Sequence, residues 1–560
     1  MNTKIEIPEK MLAWQLFGAG MEAFGENEKP SVIPVPSFSD DELLMKVEAI
    51  GLCFSDVKLI RAGEEHPRVI VDDLKKEPVI PGHEAVLSIV GIGKNLEDKF
   101  EIGERFIIQA DIYFNGKGLA YGYALNGGMA QYSIMTEPIL NGDDGCYLLK
   151  ITDKLSAAEA ALIEPWTCVI AAYRINFRTE NKSGGLMRIV GDGNPSDKSI
   201  SNLITKNNAP GKIITSNING ALKNEIDSLA AEYNIKIENN DNCDEPADDL
   251  IVVGNHSVEE IETLSRQLTM HGVFCLAGNY DDLDADIDVG SIHYKDWRYV
   301  GTKSNDIAEA YKKHTRKTLK QNGTAWFPGG AGAMGQMHVQ LSLEMDNGPR
   351  KVIVTDMDDN RLEKLKLHLQ GKADAKGIEF ITLNPKSFEN EAAFNEKLFE
   401  LSDGGFDDIV MLVPVPAVLA ASAKMLGEDG LMNIFAGIPA GKSATVNIGK
   451  IVSQGQRFIG SSGSTMDDIR HTLELTETGK LAPVYALAAI GGMKSLKEGM
   501  QGLIDAKFAG KTVVYPHAVD LPLTAVVDIE QICEGAGATL ENGEILTNKT
   551  EKMIREKWES

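Results

Sequence analysis

From about residue 185 to 480 the chain carries the same order of parts twice, which few folds accommodate. MRIVGDGNPS sets Gly191, Gly193 and Ser196 each 139 residues ahead of Gly330, Gly332 and Gly335 in WFPGGAGAMG. The following strands, KIITSN and KVIVTD, keep that interval and pair Asn217 with Asp356. Farther on the interval becomes 159: DDLIVVG answers DDIVMLV, Gly278 answers Gly437, Arg298 answers Arg457 and Gly301 answers Gly460. Each half alternates strand-length apolar runs, Gly turns and helix-compatible segments, the signature of a parallel α/β sheet. Two doubly wound domains are therefore expected, over about 181–320 and 321–480.

The copies differ chemically. In the second, Gly330, Gly332 and Gly335 follow an apolar strand and lead into a helix-compatible run through Ala333 and Met334, and Asp356 stands 21 residues beyond Gly335. The first Gly makes the tight turn, the second lets backbone approach a pyrophosphate, and the third permits close helix–strand packing. An acid at Asp356 accepts hydrogen bonds from a ribose 2′-hydroxyl and repels a 2′-phosphate, which favours NAD over NADP. The first copy has Ser196 for the third Gly, Pro195 inside the loop, Asn217 for the acid and Asp192 where phosphate would sit. It is expected to be a degenerate domain that binds no dinucleotide.

Residues 1 to about 155 are short alternating apolar segments with Gly turns, such as LLMKVEAIGLC and AVLSIVGIG, and read as mostly β. A helix-like stretch, 155–176, opens with a Ser cap, and the last 80 residues end in a charged helical tail. Cys53 in GLCFSD, His83 and Glu84 in PGHE, and Glu164 in IEPWTC offer a thiolate, an imidazole and carboxylates from separate segments. A catalytic zinc needs three such ligands and an open fourth position. Ser55 is placed to pass an alcohol proton outward, and Asp56 to orient a ligand histidine from behind.

These motifs resemble the zinc-dependent medium-chain dehydrogenase/reductase superfamily. GLCFSD is similar to its first-ligand motif, PGHEAVLSIVGIG to its His-Glu motif, GGAGAMG with VTD to its cofactor loop, and GKTVV to its returning strand. Within it, GLCFSDVKL, IEPWTCVIAAY, FDDIVMLVPVPAV and FIGSSGSTMDDI resemble the L-sorbose 1-phosphate reductase group of sugar-phosphate and polyol dehydrogenases. The resemblance implies a β-rich GroES-like catalytic zinc domain (1–180), the degenerate Rossmann-like insert (181–320), an NAD-binding Rossmann domain (321–480) and a return to the catalytic domain with a C-terminal tail (481–560). It makes Cys53, His83 and Glu164 zinc ligands, with Glu84 alternating with Glu164 or water. Gly330, Gly332, Ala333, Met334, Gly335 and Asp356 become the NAD site, and Ser55, Asp56 and Glu84 take catalytic roles. Three departures stand out: a lobe (ADIYFNGKGLAYGYALNGG) without the cysteines of a structural zinc, an insertion RAGEEHPRVIVDDLKKEP between Cys53 and His83, and the extra α/β domain.

The expected activity is interconversion of a sugar or polyol alcohol, phosphorylated by the resemblance, and its ketone, with one catalytic zinc and NAD. Alternatives are an unphosphorylated polyol, an amino alcohol like threonine, or a non-enzymatic NAD-binding scaffold. Arg61, Arg68 and Lys117 are the phosphate candidates. A net charge of −26 argues against nucleic-acid or anionic-membrane partners. No apolar run approaches a spanning helix, and six scattered Cys fit a reducing cytoplasm. The resemblance also implies a homo-oligomer, dimer or tetramer.

Overall fold

The computed structural model describes residues 7–312 and 315–559. They divide into two compact units. One comprises the chain up to Ile170, the segment Gly332–Met337 and everything from Gly463 onward; the other comprises Ala171–Ala331 and His338–Ser462. The chain thus re-enters the first unit at Gly463, ahead of the expected 481.

The first unit is built on an eight-stranded sheet whose central strand is Leu43–Leu52. Its sequence LLMKVEAIGL is buried along nearly its whole length, as a strand covered on both faces must be. Glu84–Ile92 pairs along one side of it, antiparallel, with Gly51 opposite Glu84. Lys511–Tyr515 and Tyr132–Met135 pair with it from the other side, and Val513 also lies opposite Gly51. The helix-like stretch is two short helices, Ala157–Ala161 and Ile163–Ala171. Ser156 caps the first by accepting from the Glu159 N–H, and Glu551 of the terminal helix Asn548–Trp558 accepts from the Ala157 and Ala158 N–H groups.

The second unit contains two six-stranded parallel sheets of identical order. The first runs Lys236–Asn239, Lys212–Ser216, Leu186–Gly191, Ala247–Val253, Leu268–Ala277, Arg298–Thr302. The second runs Glu379–Leu383, Lys351–Thr355, Thr324–Pro328, Phe406–Met411, Leu426–Ile434, Arg457–Ile459. This is the doubly wound order with a switch point at the first strand of each half. Even the irregularities repeat: the register slips between Ala247 and Asp249 in one sheet, and between Phe406 and Asp408 in the other. So does a polar latch beneath the first strand. Arg178 Nη1 reaches Asp249 Oδ1 at 3.0 Å and Lys182 Nζ reaches Asp248 Oδ1 at 2.7 Å. Arg316 pairs with Asp408, and Lys320 with Asp407, in the same pattern.

One expected correspondence moves by a residue. Met187 pairs with Asp249 as Ala325 pairs with Asp408, so these first strands lie 138 apart and Gly191 corresponds to Gly329, not Gly330. The second strands, Lys212–Ser216 and Lys351–Thr355, are 139 apart. The second copy therefore has one residue more in this connection, between Gly329 and Lys351. Residues 192–211 contain no helix, only turns, bends and two isolated bridges at Pro195 and Ser199, whereas the second copy has the helix Ala333–Glu344 at this point.

The two copies meet around a pseudo-twofold axis. Asp284–Asp288 pairs antiparallel with Ser443–Asn447. Asp286 faces Thr445, its own counterpart at the 159-residue interval; Asp284 faces Asn447 and Asp288 faces Ser443. Such self-complementary pairing is the geometry of an isologous dimer contact. One hydrophobic cluster runs through the seam, taking Ile287, Ile292 and Trp297 from the first copy and Val446, Ile448 and Phe458 from the second.

Candidate metal and cofactor sites

Strand register assembles the metal-type site at one end of the eight-stranded sheet. Cys53 follows the central strand and caps the helix Phe54–Ala62. Because Gly51 lies opposite Glu84, Cys53 meets His83 and Glu84 as the neighbouring strand begins. The ligand atoms of Cys53, His83 and Glu84 lie within 4.8 Å of one another, the one such group among the described residues. Gly51 is required by space: a Cβ there would stand 2.1 Å from Glu84 Oε2.

Asp56, fully buried, ties the group together. One carboxylate oxygen accepts from the Cys53 backbone N–H at 3.1 Å and the other lies 3.1 Å from His83 Nδ1. That leaves Nε2 of His83 for a metal. Burial works against the charged form of His83, but Tyr123 and Asp56 beside it outweigh this and hold its pKa well above 6.5. Glu84 Oε1 accepts from Lys511 Nζ at 2.6 Å, and Lys511 also donates to the Leu52 carbonyl at 2.9 Å. The other oxygen, Oε2, is buried and has no hydrogen-bond partner. A buried, partnerless carboxylate oxygen beside a cysteine and a histidine is what a divalent cation would satisfy, so the donor set fits zinc.

Glu164 lies on Ile163–Ala171, half-buried and outside the group of three. Burial, reinforced by Glu84 and Asp111, pushes its carboxyl up to about 7 against the pull of His83 and Lys511. Cys168, one turn farther along that helix, has its thiol raised by burial and by Glu164 and Asp111. Ser55 is half-buried in the first turn of the helix that Cys53 caps.

Tyr123 covers His83, with ring centroids 5.7 Å apart. Lys511, Asp111, Tyr123 and Cys168 were not foreseen as site residues. Lys511 carried a signal, a lysine heading the otherwise apolar strand KTVVY. Of the three phosphate candidates, Arg68 lies over the Tyr123 ring and pairs with Asp111.

In the second α/β copy, Gly329 turns with φ +76° and donates to the Thr355 carbonyl at 2.7 Å. At Gly330 a Cβ would meet Val354 Cγ1 at 2.7 Å and the Phe327 carbonyl at 3.0 Å. Ala333 and Met334, half-buried, open the helix Ala333–Glu344, and Gly332 accepts from the Gln336 N–H at 2.9 Å. Asp356 follows the strand Lys351–Thr355, with Oδ1 accepting from the Asp358 N–H at 3.2 Å. In the first copy, Asp192 fills its own turn, accepting from the Asn194 and Asn255 N–H groups at 2.9 and 3.0 Å. Burial opposes its charge, but those amides hold the carboxyl below its usual value.

The alcohol dehydrogenase GroES-like domain family matches residues 39–140, the segment that carries Cys53, His83 and Glu84. Mannitol-1-phosphate 5-dehydrogenase of Aliivibrio fischeri is 25% identical over 89% of this chain and 86% of its own length. L-sorbose 1-phosphate reductase of Klebsiella pneumoniae is 22% identical, over 88% and 87%. The crystal structure of 2R,3R-butanediol dehydrogenase from Bacillus subtilis shares the fold, with TM-score 0.52 and 16% identity over 90% of this chain and 99% of that one. Residues 39–140 thus belong to the alcohol dehydrogenase GroES-like domain family. The chain carries two α/β sheets of one order, and the glycine-rich loop 330–335 lies in the second.

Proposed function

We propose that the protein is a zinc- and NAD-dependent dehydrogenase that interconverts a secondary hydroxyl of a polyol phosphate with the ketone of the corresponding sugar phosphate. The observation that carries this is the group Cys53, His83 and Glu84, the last two buried, with its one unpartnered Glu84 oxygen, in a chain that also carries the glycine-rich loop 330–335. Zinc bound there supplies a Lewis acid for the substrate oxygen, and NAD the hydride acceptor. Cys53, His83 and Glu84 would hold the metal; Glu164, outside their group, is an exchanging ligand rather than a fixed one. Asp56 sets the His83 tautomer. Lys511 balances the charge of Glu84, and Gly51 leaves the room that Glu84 occupies. Ser55 relays the alcohol proton, accepting it at its hydroxyl oxygen while its own proton passes on to solvent.

On the cofactor side, Gly330, Gly332 and Gly335 let backbone approach the pyrophosphate at the helix start of Ala333 and Met334. Asp356 accepts from the ribose hydroxyls and repels a 2′-phosphate, which selects NAD. The phosphate on the substrate rests on the names of the two long relatives, a mannitol-1-phosphate dehydrogenase and a sorbose 1-phosphate reductase. The first α/β copy takes no dinucleotide, and the setting is the cytosol. The strand edge between the copies is filled within the chain, so the homo-oligomer implied by the resemblance has to assemble through another surface.

The test is nicotinamide absorbance with NAD and glucitol 6-phosphate or glucitol, with and without a chelator. Chelator-sensitive turnover of the phosphorylated polyol is expected. Activity that survives complete zinc removal would refute the metal's role, and equal turnover of both polyols would remove the phosphate.

A further inference from the structure

We infer that His66 and Arg68, in the insertion between Cys53 and His83, form the subsite for the substrate's phosphate dianion. The inference rests on the reading that the substrate is phosphorylated. The ring of Tyr123 is its platform. His66 stacks on that ring at 5.2 Å between centroids and 28° between planes, and the Arg68 guanidinium lies 5.4 Å from the ring centre. The same ring is 5.7 Å from the His83 imidazole. Two nitrogen donors are thus held about one aromatic ring away from a metal-ligand candidate.

Hydrogen bonding orients both groups. The Arg68 backbone N–H donates to His66 Nδ1 at 3.3 Å, which leaves the proton of the neutral imidazole on Nε2 as a donor. Arg68 Nη1 donates to Asp111 Oδ1 at 2.6 Å, which uses one of five N–H donors and fixes the plane of the fork. The Arg68 side chain is 48% exposed, so a ligand can reach it. Burial, Arg68 and Lys58 all lower the His66 pKa, so Lys58 adds a second cation beside Arg68.

The surroundings are otherwise acidic. Asp56, Glu84, Glu164 and Asp111 all act on the groups around His83, in a chain of net charge −26. A dianion needs local compensation there, and the Arg–His pair supplies it with fork geometry suited to phosphate oxygens. An exposed Arg–Asp pair contributes little to stability, so a purely structural role for Arg68 would leave substrate preference untouched.

The experiment compares glucitol 6-phosphate with glucitol as substrates of the zinc-loaded full chain, and uses inorganic phosphate as an inhibitor of glucitol oxidation. In Arg68→Met, the preference for the phosphorylated substrate, as a ratio of kcat/KM values, should fall about 30-fold, mostly through KM. Inhibition by inorganic phosphate should weaken in parallel. Arg68→Lys should recover part of the preference, and His66→Gln should lose about tenfold. Wild-type preference that persists unchanged in both Arg68→Met and His66→Gln would overturn the subsite and leave the phosphorylated substrate standing. A wild type without preference would overturn the substrate reading, and the subsite with it.

Discussion

Replacing Asp56 by Asn tests how the metal group is held, because the side chain keeps its shape and loses only its charge and one acceptor. Asp56 is fully buried and makes two contacts of 3.1 Å, accepting from the Cys53 N–H and facing His83 Nδ1. An amide cannot serve both as the carboxylate does. If its oxygen stays on His83, its NH2 confronts the Cys53 N–H. If it turns round, its NH2 donates to Nδ1 and forces the proton onto Nε2, the nitrogen a metal needs. Either way one hydrogen bond to a charged group is lost, worth about 1.5–3 kcal/mol, or a roughly 10- to 150-fold weaker zinc complex. Outer-sphere partners of ligand histidines elsewhere fall in the same range. The assay is zinc competition against a chelator, with thermal unfolding of the zinc-free and zinc-loaded forms beside it. The melting point of the zinc-free form should change little, while the increment gained on adding zinc should shrink. Zinc affinity within about threefold of wild type, in a folded Asp56→Asn protein, would show that Asp56 does not position His83.

Three other perturbations address separate parts of the molecule. Gly51→Ala forces Glu84 aside, since the new Cβ would lie 2.1 Å from Oε2; zinc retained after dialysis against chelator should fall at least about tenfold, with a stability cost of about 1–3 kcal/mol. Asp356→Ala should erode the preference for NAD over NADP, measured as a ratio of kcat/KM values, and an unchanged ratio would mean the ribose is read elsewhere. His338, fully buried against Tyr173 and Phe435, has its pKa lowered by burial from 6.5 to about 3. The unfolded chain takes up that proton first, so the stability of the α/β unit is complete above about pH 6.5 and drains as pH falls toward 3, by about 3 kcal/mol at pH 4. His338→Phe should flatten this limb in urea unfolding across about pH 4–7, whatever it costs at neutral pH; a limb of unchanged slope would place the acid sensitivity elsewhere.

The parts legible in the sequence are those whose signals are local. Strand–turn–helix rhythm gave two α/β halves because each crossover is read within about 30 residues, and PGHE and GLCFSD carry their site residues within six. The one-residue slip at the first glycine turn was illegible, because an interval counted across a loop cannot say on which side of it the extra residue lies. The re-entry at Gly463 was hidden for a related reason: Met466–Glu477 has the periodicity of any α/β crossover helix, yet belongs to the β-rich unit. Lys511 reaches Glu84 across 427 residues, through a strand pairing that no local pattern announces. Among the scattered cations, its place over Tyr123 and its pair with Asp111 separate Arg68 from Arg61 and Lys117, and both contacts are properties of the folded insertion.

The same contrast explains the first α/β copy. Where it differs from the second copy is at the glycine turn: no helix follows it, and Asp192 accepts from the Asn194 and Asn255 amides there. What it has kept serves the sheet and its mate. The latch of Arg178, Lys182, Asp248 and Asp249 repeats that of Arg316, Lys320, Asp407 and Asp408, and Asp286 pairs with its own counterpart Thr445. Without the first copy, Ser443–Asn447 would present an unpaired strand edge, and the apolar side chains of Val446, Ile448 and Phe458 would lose the neighbours that bury them. A second chain could cover that edge only at a concentration-dependent cost in association entropy, which a covalently joined copy avoids. The first copy therefore acts on the second as a built-in partner subunit.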